Sequence, residues 1–318
     1  MENRHRRADA SFGFAIETHR LTRRYGSRVA VNSLDLAIPS GQVTGLVGPN
    51  GAGKSTTIRM LLGLIKPTSG SATVLGRRIE RDPGVLRYVG AMVEGPAFYP
   101  GLCGRDNLRV LAELGRLPQS CVDRALELVA LTDRARDAVR SYSMGMRQRL
   151  GIAAALLSRP SLVILDEPTN GLDPAGIQEV RAMLRSLARD GTTVFVSSHN
   201  LAELERVCQE VVLLRAGRLI YQGSMAELLE RRGSRLTGRP EIAAATSNLA
   251  DLVRRSGYQA QVENGSVVVS APASWSASLN RLAQANGITL AELQVEAPTL
   301  EDAFVALTAG DDAPETQP

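Results

Sequence analysis

The residues with the clearest chemical potential in this sequence form the glycine-rich segment 48–55, Gly-Pro-Asn-Gly-Ala-Gly-Lys-Ser. The segment fits the pattern GxxxxGK[ST], follows the short apolar run Val43–Val47 and precedes a helical pattern of apolar residues. Glycines allow the backbone to approach a ligand closely, so successive N–H groups at the positive end of a helix can surround phosphate oxygens. The alternative interpretation is a glycine turn that only joins a strand to a helix.

Each polar residue of such a phosphate-binding loop has a defined task. Lys54 would reach the β- and γ-phosphates of a nucleotide, and Ser55 would hold a Mg²⁺ ion. We therefore predict a nucleotide and Mg²⁺ as the ligands of this segment. The residues predicted to bind the nucleotide here are Gly48, Asn50, Gly51, Gly53, Lys54, Ser55 and Thr56.

A second candidate site is the pair Asp166 and Glu167, which directly follows the apolar run Leu162–Leu165. A continuous apolar run is typical of a strand buried on both faces, and α/β sheets bind ligands at the carboxyl ends of such strands. Asp166 would hold Mg²⁺, mostly through water, and Glu167 would polarise the water that attacks a phosphate. The alternative is that the two carboxylates only cap a helix.

Length, composition and charge limit the class of protein. A chain of 318 residues with 44% hydrophobic and 22% charged residues can form two domains with cores, and these values exclude overall disorder. No apolar stretch reaches the roughly 18 residues of a membrane span, and no apolar region follows the basic N-terminus. Three cysteines without CxxC spacing indicate a reducing compartment without a zinc site. The net charge of +4, with scattered basic residues, predicts no direct nucleic-acid partner. We therefore expect a soluble, intracellular protein.

The order of the predicted elements divides the chain into regions. Strands alternate with helices up to about residue 230, which predicts a largely parallel α/β sheet. A helix, two strands, a helix, a strand and a helix then predict a small α+β domain. The predicted boundaries are a disordered arm at 1–13, the α/β domain at 14–230, an Arg- and Gly-rich linker at 231–240, the small domain at 241–309 and a disordered acidic tail at 310–318.

Further motifs appear in a fixed order around the two candidate sites. They are Tyr25, residues 141–149 with the sequence Ser-Tyr-Ser-Met-Gly-Met-Arg-Gln-Arg, residues 171–173 with the sequence Gly-Leu-Asp, and His199 at the end of a predicted strand. This order resembles the nucleotide-binding subunit of an ATP-binding cassette (ABC) transporter over residues 14–230. The resemblance implies a P-loop NTPase fold with a RecA-like core, a helical subdomain at about 95–160, and hydrolysis of ATP.

The resemblance assigns a role to each of these motifs. Residues 141–149 resemble the family signature, and residues 171–173 resemble its D-loop. Tyr25 resembles the aromatic residue that stacks on adenine, and the alternative is an exposed tyrosine at a strand edge. His199 resembles the catalytic switch histidine near the γ-phosphate, and the alternative is a structural histidine.

An assembly also follows from the resemblance. In the family two subunits pair head to tail, so Ser143, Gly145 and Asp173 of one chain would contact the ATP on the other. We therefore expect a homodimer, or a pair with a second nucleotide-binding subunit, that ATP closes. The signature departs from the family pattern at Tyr142, Met144 and Met146. Because Gly145 is kept, we expect catalysis to survive these departures.

Glu94 is another departure, because the family usually has glutamine at this position. The segment around Glu94, the signature and the ending Pro298–Phe304 resemble the variant found in exporters for self-protection against bacitracin and lantibiotics. The resemblance implies that Glu94 belongs to the catalytic site and binds Mg²⁺, where it adds negative charge beside Asp166 and Glu167. The alternative is a loop glutamate that faces solvent.

The expected partner outside the pair is an integral membrane permease. The loop Glu94–Leu102 offers apolar and aromatic side chains where the permease docks in the family, and the alternative is that they belong to local core. We therefore expect a transporter motor at the cytoplasmic face of the membrane. The resemblance implies that it exports antibiotics, peptides or drugs. One alternative is a non-transport ABC ATPase that acts on nucleic acid or ribosomes. Chromosome-organising members of the family carry a long coiled coil between the corresponding positions. Glu94 and Tyr142 are too close in sequence to contain one, which argues against that class.

Overall fold

The computed structural model describes residues 13–95, 97–231 and 233–309, and the chain divides into two compact units at the Gly223–Ser224 bond. The acidic tail and all but the last residue of the N-terminal arm, both predicted from the sequence, lie outside the described residues. Among the described residues, no helix combines the length and the apolar character needed to cross a bilayer. The two units are described separately.

The first unit contains ten strands and six α-helices within its described residues. The strands are β1 (Phe14–Tyr25), β2 (Arg28–Pro39), β3 (Val43–Val47), β4 (Ser69–Val74), β5 (Arg77–Arg78), β6 (Val89–Met92), β7 (Leu162–Asp166), β8 (Thr193–Ser198), β9 (Glu210–Arg215) and β10 (Arg218–Ser224). The helices are α1 (Lys54–Leu61), α2 (Gly104–Leu114), α3 (Ser120–Leu128), α4 (Met144–Leu156), α5 (Pro174–Arg189) and α6 (Leu201–Glu205).

A largely parallel sheet lies at the centre of this unit, with the strand order β10-β9-β3-β8-β7-β6. Strands β3, β7 and β8 are buried at every residue, because parallel strands covered on both faces have no solvent side. The parallel register places Val47 beside Ser198 and Asp166 beside Ser197. The chain segments that leave β3 and β7 therefore start at the same edge of the sheet.

A second, antiparallel sheet of order β2-β1-β4-β5 packs into the same core. Leu34, Leu36 and Ile38 alternate along β2 and are buried, as the sequence predicts. One apolar cluster contains residues of both sheets together with Ile58 and Leu61 of α1. Helix α1 is thus fixed against both sheets.

Helices α2, α3 and α4 follow β6 and precede β7 in the sequence, and they pack on one another. Their residues lie inside the range predicted for a helical subdomain. Gly104 begins α2 at a point where any Cβ would overlap the hydroxyl of Tyr142. Tyr142 is buried, and its hydroxyl donates to the carbonyl of Arg134 at 2.7 Å. The tyrosine that replaces the signature's leucine is therefore a core residue of this helical segment.

In the second unit, helices pack on an antiparallel sheet of order β12-β13-β11-β14. Its core contains residues of the sheet, of α8 and of α9. The elements are α7 (Met225–Glu230), β11 (Ser234–Pro240), α8 (Thr246–Arg255), β12 (Ala260–Glu263), β13 (Ser266–Ala271), α9 (Ser276–Ala285), β14 (Leu290–Glu296) and α10 (Leu300–Ala309). From α8 onward, the helices and strands occur in the order that the sequence predicts.

The predicted linker at 231–240 is wrong, because residues 234–240 form strand β11 in the middle of this sheet. The inward positions of β11 include Leu236 and Gly238, and three leucine side chains lie around the open side of Gly238. The outward positions include Arg235 and Arg239, which pair with glutamates of β12 and β14. Three of the four inward positions are Ser234, Gly238 and Pro240, and with arginines outward the strand has the composition of a linker.

Candidate functional site

The glycine-rich loop connects β3 to α1. A Cβ on Gly48 would overlap the carbonyl oxygen of Leu214, so only glycine fits there. Gly53 has φ 105°, a left-handed conformation that favours glycine, and directly precedes the first helical residue, Lys54. The loop therefore delivers backbone N–H groups to the N-terminus of a helix that the core holds in place.

Lys54 lies beneath this loop and is 6% exposed. Its Nζ donates to the carbonyl of Gly48 at 2.7 Å and lies 3.6 Å from Oε1 of Glu167. Lys54 thus places a positive charge between the glycine loop and a carboxylate. Of the other predicted loop residues, Ser55 and Thr56 are half-buried, whereas Asn50 is exposed.

Asp166 and Glu167 are held together by Ser197 of the neighbouring strand. The Ser197 hydroxyl donates to the Asp166 carboxylate and accepts from the backbone N–H of Glu167 at 3.0 Å. The Glu167 N–H also contacts the carbonyl of Ser197 at 3.2 Å. Ser197 is fully buried, so these contacts are protected from water. Ser197 was not predicted as a site residue, because the register that pairs it with Asp166 joins two strands that are distant in the sequence.

Glu167 is the centre of the charged cluster. Its Oε2 lies 2.8 Å from Nδ1 of His199 and accepts from the His199 backbone N–H at 3.3 Å. Its backbone has φ 51°, which non-glycine residues rarely adopt. The side-chain amide of Gln148 donates to its carbonyl at 3.2 Å. Lys54, Glu167 and His199, predicted from distant parts of the sequence, therefore meet in one place.

Glu94 lies after β6 and forms an ion pair with Arg59 of α1. The Glu94 side chain is 69% exposed and its backbone has φ 58°. Among the described ion pairs, Arg59 is the partner of Glu94, and the structure shows no direct contact with Asp166 or Glu167. The predicted binding of Mg²⁺ by Glu94 stays a prediction.

Tyr25 ends β1 with an exposed ring. The guanidinium carbon of Arg23 lies 4.5 Å from the centre of this ring, which is a cation–π distance. Gly51 of the glycine loop lies close to the guanidinium of Arg28, the first residue of β2. Tyr25 is therefore an exposed aromatic ring with arginines beside it, and its stacking on adenine stays a prediction.

The predicted trans-acting residues lie at the starts of two helices. The Ser143 hydroxyl caps α4 by accepting from the N–H of Met146 at 3.2 Å, and Gly145 lies in the first turn. Asp173 caps α5 by accepting from the N–H of Gly176 at 2.9 Å. Both capping side chains belong to exposed residues. Within the described part of the chain, neither contacts Lys54, as expected for residues that would serve another chain.

The two helix starts also contact each other. Gly171 has φ 76°, and a Cβ there would overlap the sulfur of Met144. A Cβ on Gly145 would lie 3.2 Å from Leu172. The signature turn and the D-loop of one chain are therefore packed together, with Met144 filling the space above Gly171.

The residues present fit a Mg²⁺ ion that arrives with phosphates. In the described ranges no group of three or more His, Cys, Asp or Glu residues could hold a metal by itself. Mg²⁺ in phosphate-transfer sites needs only one or two carboxylates, because substrate phosphates and water supply the other ligands. Asp166 is buried and is oriented by Ser197, which suits this role.

Comparison with known proteins agrees with this geometry. The ABC transporter family model matches residues 31–170. The bacitracin transport ATP-binding protein BcrA of Enterococcus faecalis is 37% identical over 303 residues, which span 93% of this chain and 97% of that protein. The chain belongs to the ABC transporter family. Its ABC transporter relatives also include BcrA of Bacillus licheniformis, at 39% identity with 93% and 97% coverage, and the lantibiotic transport protein SrtF of Streptococcus pyogenes, at 40% identity with 66% and 92% coverage.

Solved structures of ABC transporter subunits confirm the fold. An ATP-binding subunit of an ABC transporter is 30% identical with a TM-score of 0.62, and the match covers 68% of this chain and 92% of that one. The dimeric ATP-binding cassette MJ0796, in a post-hydrolysis state with ADP and Pi, matches with a TM-score of 0.60 at 23% identity over 66% of this chain and 98% of that one. The predicted fold class, ATP binding and ATP hydrolysis are thereby confirmed. The chain is the ATP-hydrolysing motor subunit of an ABC transporter.

Proposed function

We propose that this chain hydrolyses ATP as one half of a head-to-tail pair, with Glu167 as the general base. The observation that carries the proposal is the Glu167 carboxylate, held 3.6 Å from Lys54 Nζ and 2.8 Å from His199 Nδ1. A buried cation, a carboxylate and an imidazole at the carboxyl edge of a parallel sheet suit phosphoryl transfer to water. Lys54 would bind the β- and γ-phosphates after leaving Glu167.

The chemical step follows from these positions. Glu167 takes a proton from the attacking water while the water oxygen bonds to the γ-phosphorus and the bond to the bridging oxygen of ADP breaks. His199 is placed to donate a hydrogen bond to the γ-phosphate once ATP separates it from Glu167. When bound, Mg²⁺ neutralises charge on the phosphates, and Ser55, Asp166 and Glu94 are the residues that would hold it.

The trans-acting residues complete the site from the second copy. Ser143, Gly145 and Asp173 lie at the N-terminal ends of α4 and α5, where the helix dipole favours an anion. Tyr25, with its exposed ring, would stack on adenine. ATP would therefore stabilise the closed pair, and loss of the γ-phosphate would release it.

Docking on a permease is supported by the segment Glu94–Leu102. The buried side chain of Asn107 accepts from the N–H of Tyr99 at 2.8 Å and donates to its carbonyl at 3.1 Å. This fixes the loop backbone while the ring of Tyr99 remains 64% exposed, and Leu102 is exposed as well. These side chains are therefore surface groups rather than local core, and they suit a hydrophobic partner segment.

Because BcrA and SrtF are named for the transport of bacitracin and lantibiotics, we propose export of a peptide antibiotic or a drug. A relative named for daunorubicin resistance, from Streptomyces coeruleorubidus, is 35% identical over 94% of this chain. The proposed location is the cytoplasmic face of the cell membrane, where the permease would anchor the chain.

The pairing is tested with the Glu167→Gln variant, which keeps the shape of the base but removes its charge. We expect it to form dimers in Mg·ATP that light scattering detects, and to hydrolyse no ATP. Lys54→Ala is the matched control, since it should bind no ATP and remain monomeric. A Glu167→Gln protein that stays monomeric at saturating Mg·ATP would contradict the proposal.

A further inference from the structure

Helix α4 contacts the segment that follows β7 at three points. Met144 lies against Gly171, Gln148 donates from Nε2 to the Glu167 carbonyl at 3.2 Å, and Arg149 pairs with Glu179 at 2.9 Å. Residues four apart on a helix lie on one face, so Met144 and Gln148 share the side that faces this segment. Gln148 is the buried member of this set, at 9% exposed.

The contact of Gln148 falls on a residue with an unusual backbone. Glu167 has φ 51°, and such conformations persist only where the surroundings fix them. Its N–H is held by the hydroxyl and the carbonyl of Ser197, and its carbonyl accepts from Gln148 and, within its own turn, from the N–H of Asn170 at 3.2 Å. The two sides of the Glu167 backbone are therefore held by two different parts of the fold, strand β8 and helix α4.

We propose that Gln148 is a positioning residue for ATP hydrolysis, which acts by fixing the backbone of Glu167 from the signature helix. The inference rests on the proposed role of Glu167 as the base. A hydrogen bond to the carbonyl holds the left-handed conformation, and that conformation directs the carboxylate between Lys54 and His199. Gln148 is the donor that joins this carbonyl to another element of the fold, because its other donor, the N–H of Asn170, belongs to the same turn.

This arrangement has a consequence for the pair of chains. The same helix that begins with Ser143, the residue offered to the partner's ATP, holds the base of the chain's own site through Gln148. A displacement of the signature helix therefore alters the backbone of Glu167 directly. Hydrolysis in one site would depend on how that chain engages the other site.

The test uses the full chain with Gln148→Leu and Gln148→Glu, both of which remove the donor while keeping a similar size. A misplaced base costs about 10- to 100-fold in rate, so we expect kcat to fall by that factor. The dissociation constant for ATP, measured by equilibrium binding, should change less than about twofold, because Gln148 touches no predicted ATP ligand. Gln222→Leu is the matched control, since the Gln222 amide also donates to a backbone carbonyl, that of Ala37 at 2.6 Å, but joins β10 to β2.

The outcomes separate the possible roles. An unchanged kcat in both variants overturns the inference, as does an equal fall in kcat in Gln222→Leu. A rise in the ATP dissociation constant with a lower melting temperature shows a merely structural role and also overturns it. If Gln148→Leu does not fold, the kcat of the nearly isosteric Gln148→Glu variant decides between the outcomes. The base assignment itself fails independently if Glu167→Gln hydrolyses ATP at the wild-type rate.

Discussion

Arg59 and Glu94 form an ion pair that joins the last turn of the P-loop helix to the loop after β6. From the resemblance, Glu94 is expected to add a negative charge beside two other carboxylates. The guanidinium of Arg59 offsets that charge in the structure, because opposite charges in contact stabilise each other. Glu94 therefore has two candidate partners, Arg59 and Mg²⁺.

The first prediction concerns the Mg²⁺ requirement of the ATPase. We expect the wild type to lose activity at low Mg²⁺ more steeply than Glu94→Gln, because repulsion among the carboxylates needs the metal to offset it. Arg59→Gln should steepen this dependence further by removing the positive charge. ATPase rates across a Mg²⁺ titration measure both effects. Superimposable curves for the wild type and Glu94→Gln would count against the prediction, and Arg59→Gln should have no such effect in the Glu94→Gln background.

The second prediction concerns the packing of the signature turn on the D-loop. Gly171→Ala should weaken ATP-driven dimerisation in the Glu167→Gln background, because its Cβ would overlap the Met144 sulfur. Adding Met144→Ala should restore most of the lost dimerisation. The strain of an alanine in a left-handed conformation, about 1–2 kcal/mol, would remain. Gly191→Ala is the matched control, with φ 85° and nothing near its Cβ. No recovery in the double variant would show that the contact is unimportant.

The third prediction concerns Ser197. Ser197→Ala leaves the Asp166 carboxylate without the hydroxyl donor, and a buried polar group that loses its partner costs about 1–3 kcal/mol. We expect a lower melting temperature and a weaker response of the ATPase to Mg²⁺. Ser198→Ala serves for comparison, because the buried Ser198 hydroxyl accepts from Asn200 and contacts neither carboxylate. Equal behaviour of the two variants would refute the role assigned to Ser197.

The fourth prediction is a pH dependence. Burial raises the pKa of the Cys208 thiol well above its usual range, so the native thiol keeps its proton where an unfolded cysteine, with a pKa of about 8.5, loses it. The native state then binds more protons than the unfolded state, and stability falls as the pH rises above about 8.5, by at most about 1.4 kcal/mol per pH unit. Melting temperatures of the wild type and Cys208→Ala from pH 7.5 to 10 should show a steeper fall for the wild type. Parallel slopes would disprove the linkage.

The glycine loop and the pair Asp166 and Glu167 could be predicted because each depends on a short strand, loop and helix segment. The contacts of Ser197, Gln148 and Arg59 could not, because each joins residues from separate elements and no local pattern marks the partner. Strand β11 was missed for a different reason, since Leu236 is the one large apolar residue among its four inward positions and two of its three outward positions are arginine. Tertiary packing decides such cases.

The outward face of the second unit's sheet has Arg235 between Glu263 and Glu296, and Arg239 beside Glu292. Paired charges of opposite sign bind water well and disfavour apolar association through this face. Many copies of this chain at high local concentration would therefore not aggregate through this surface.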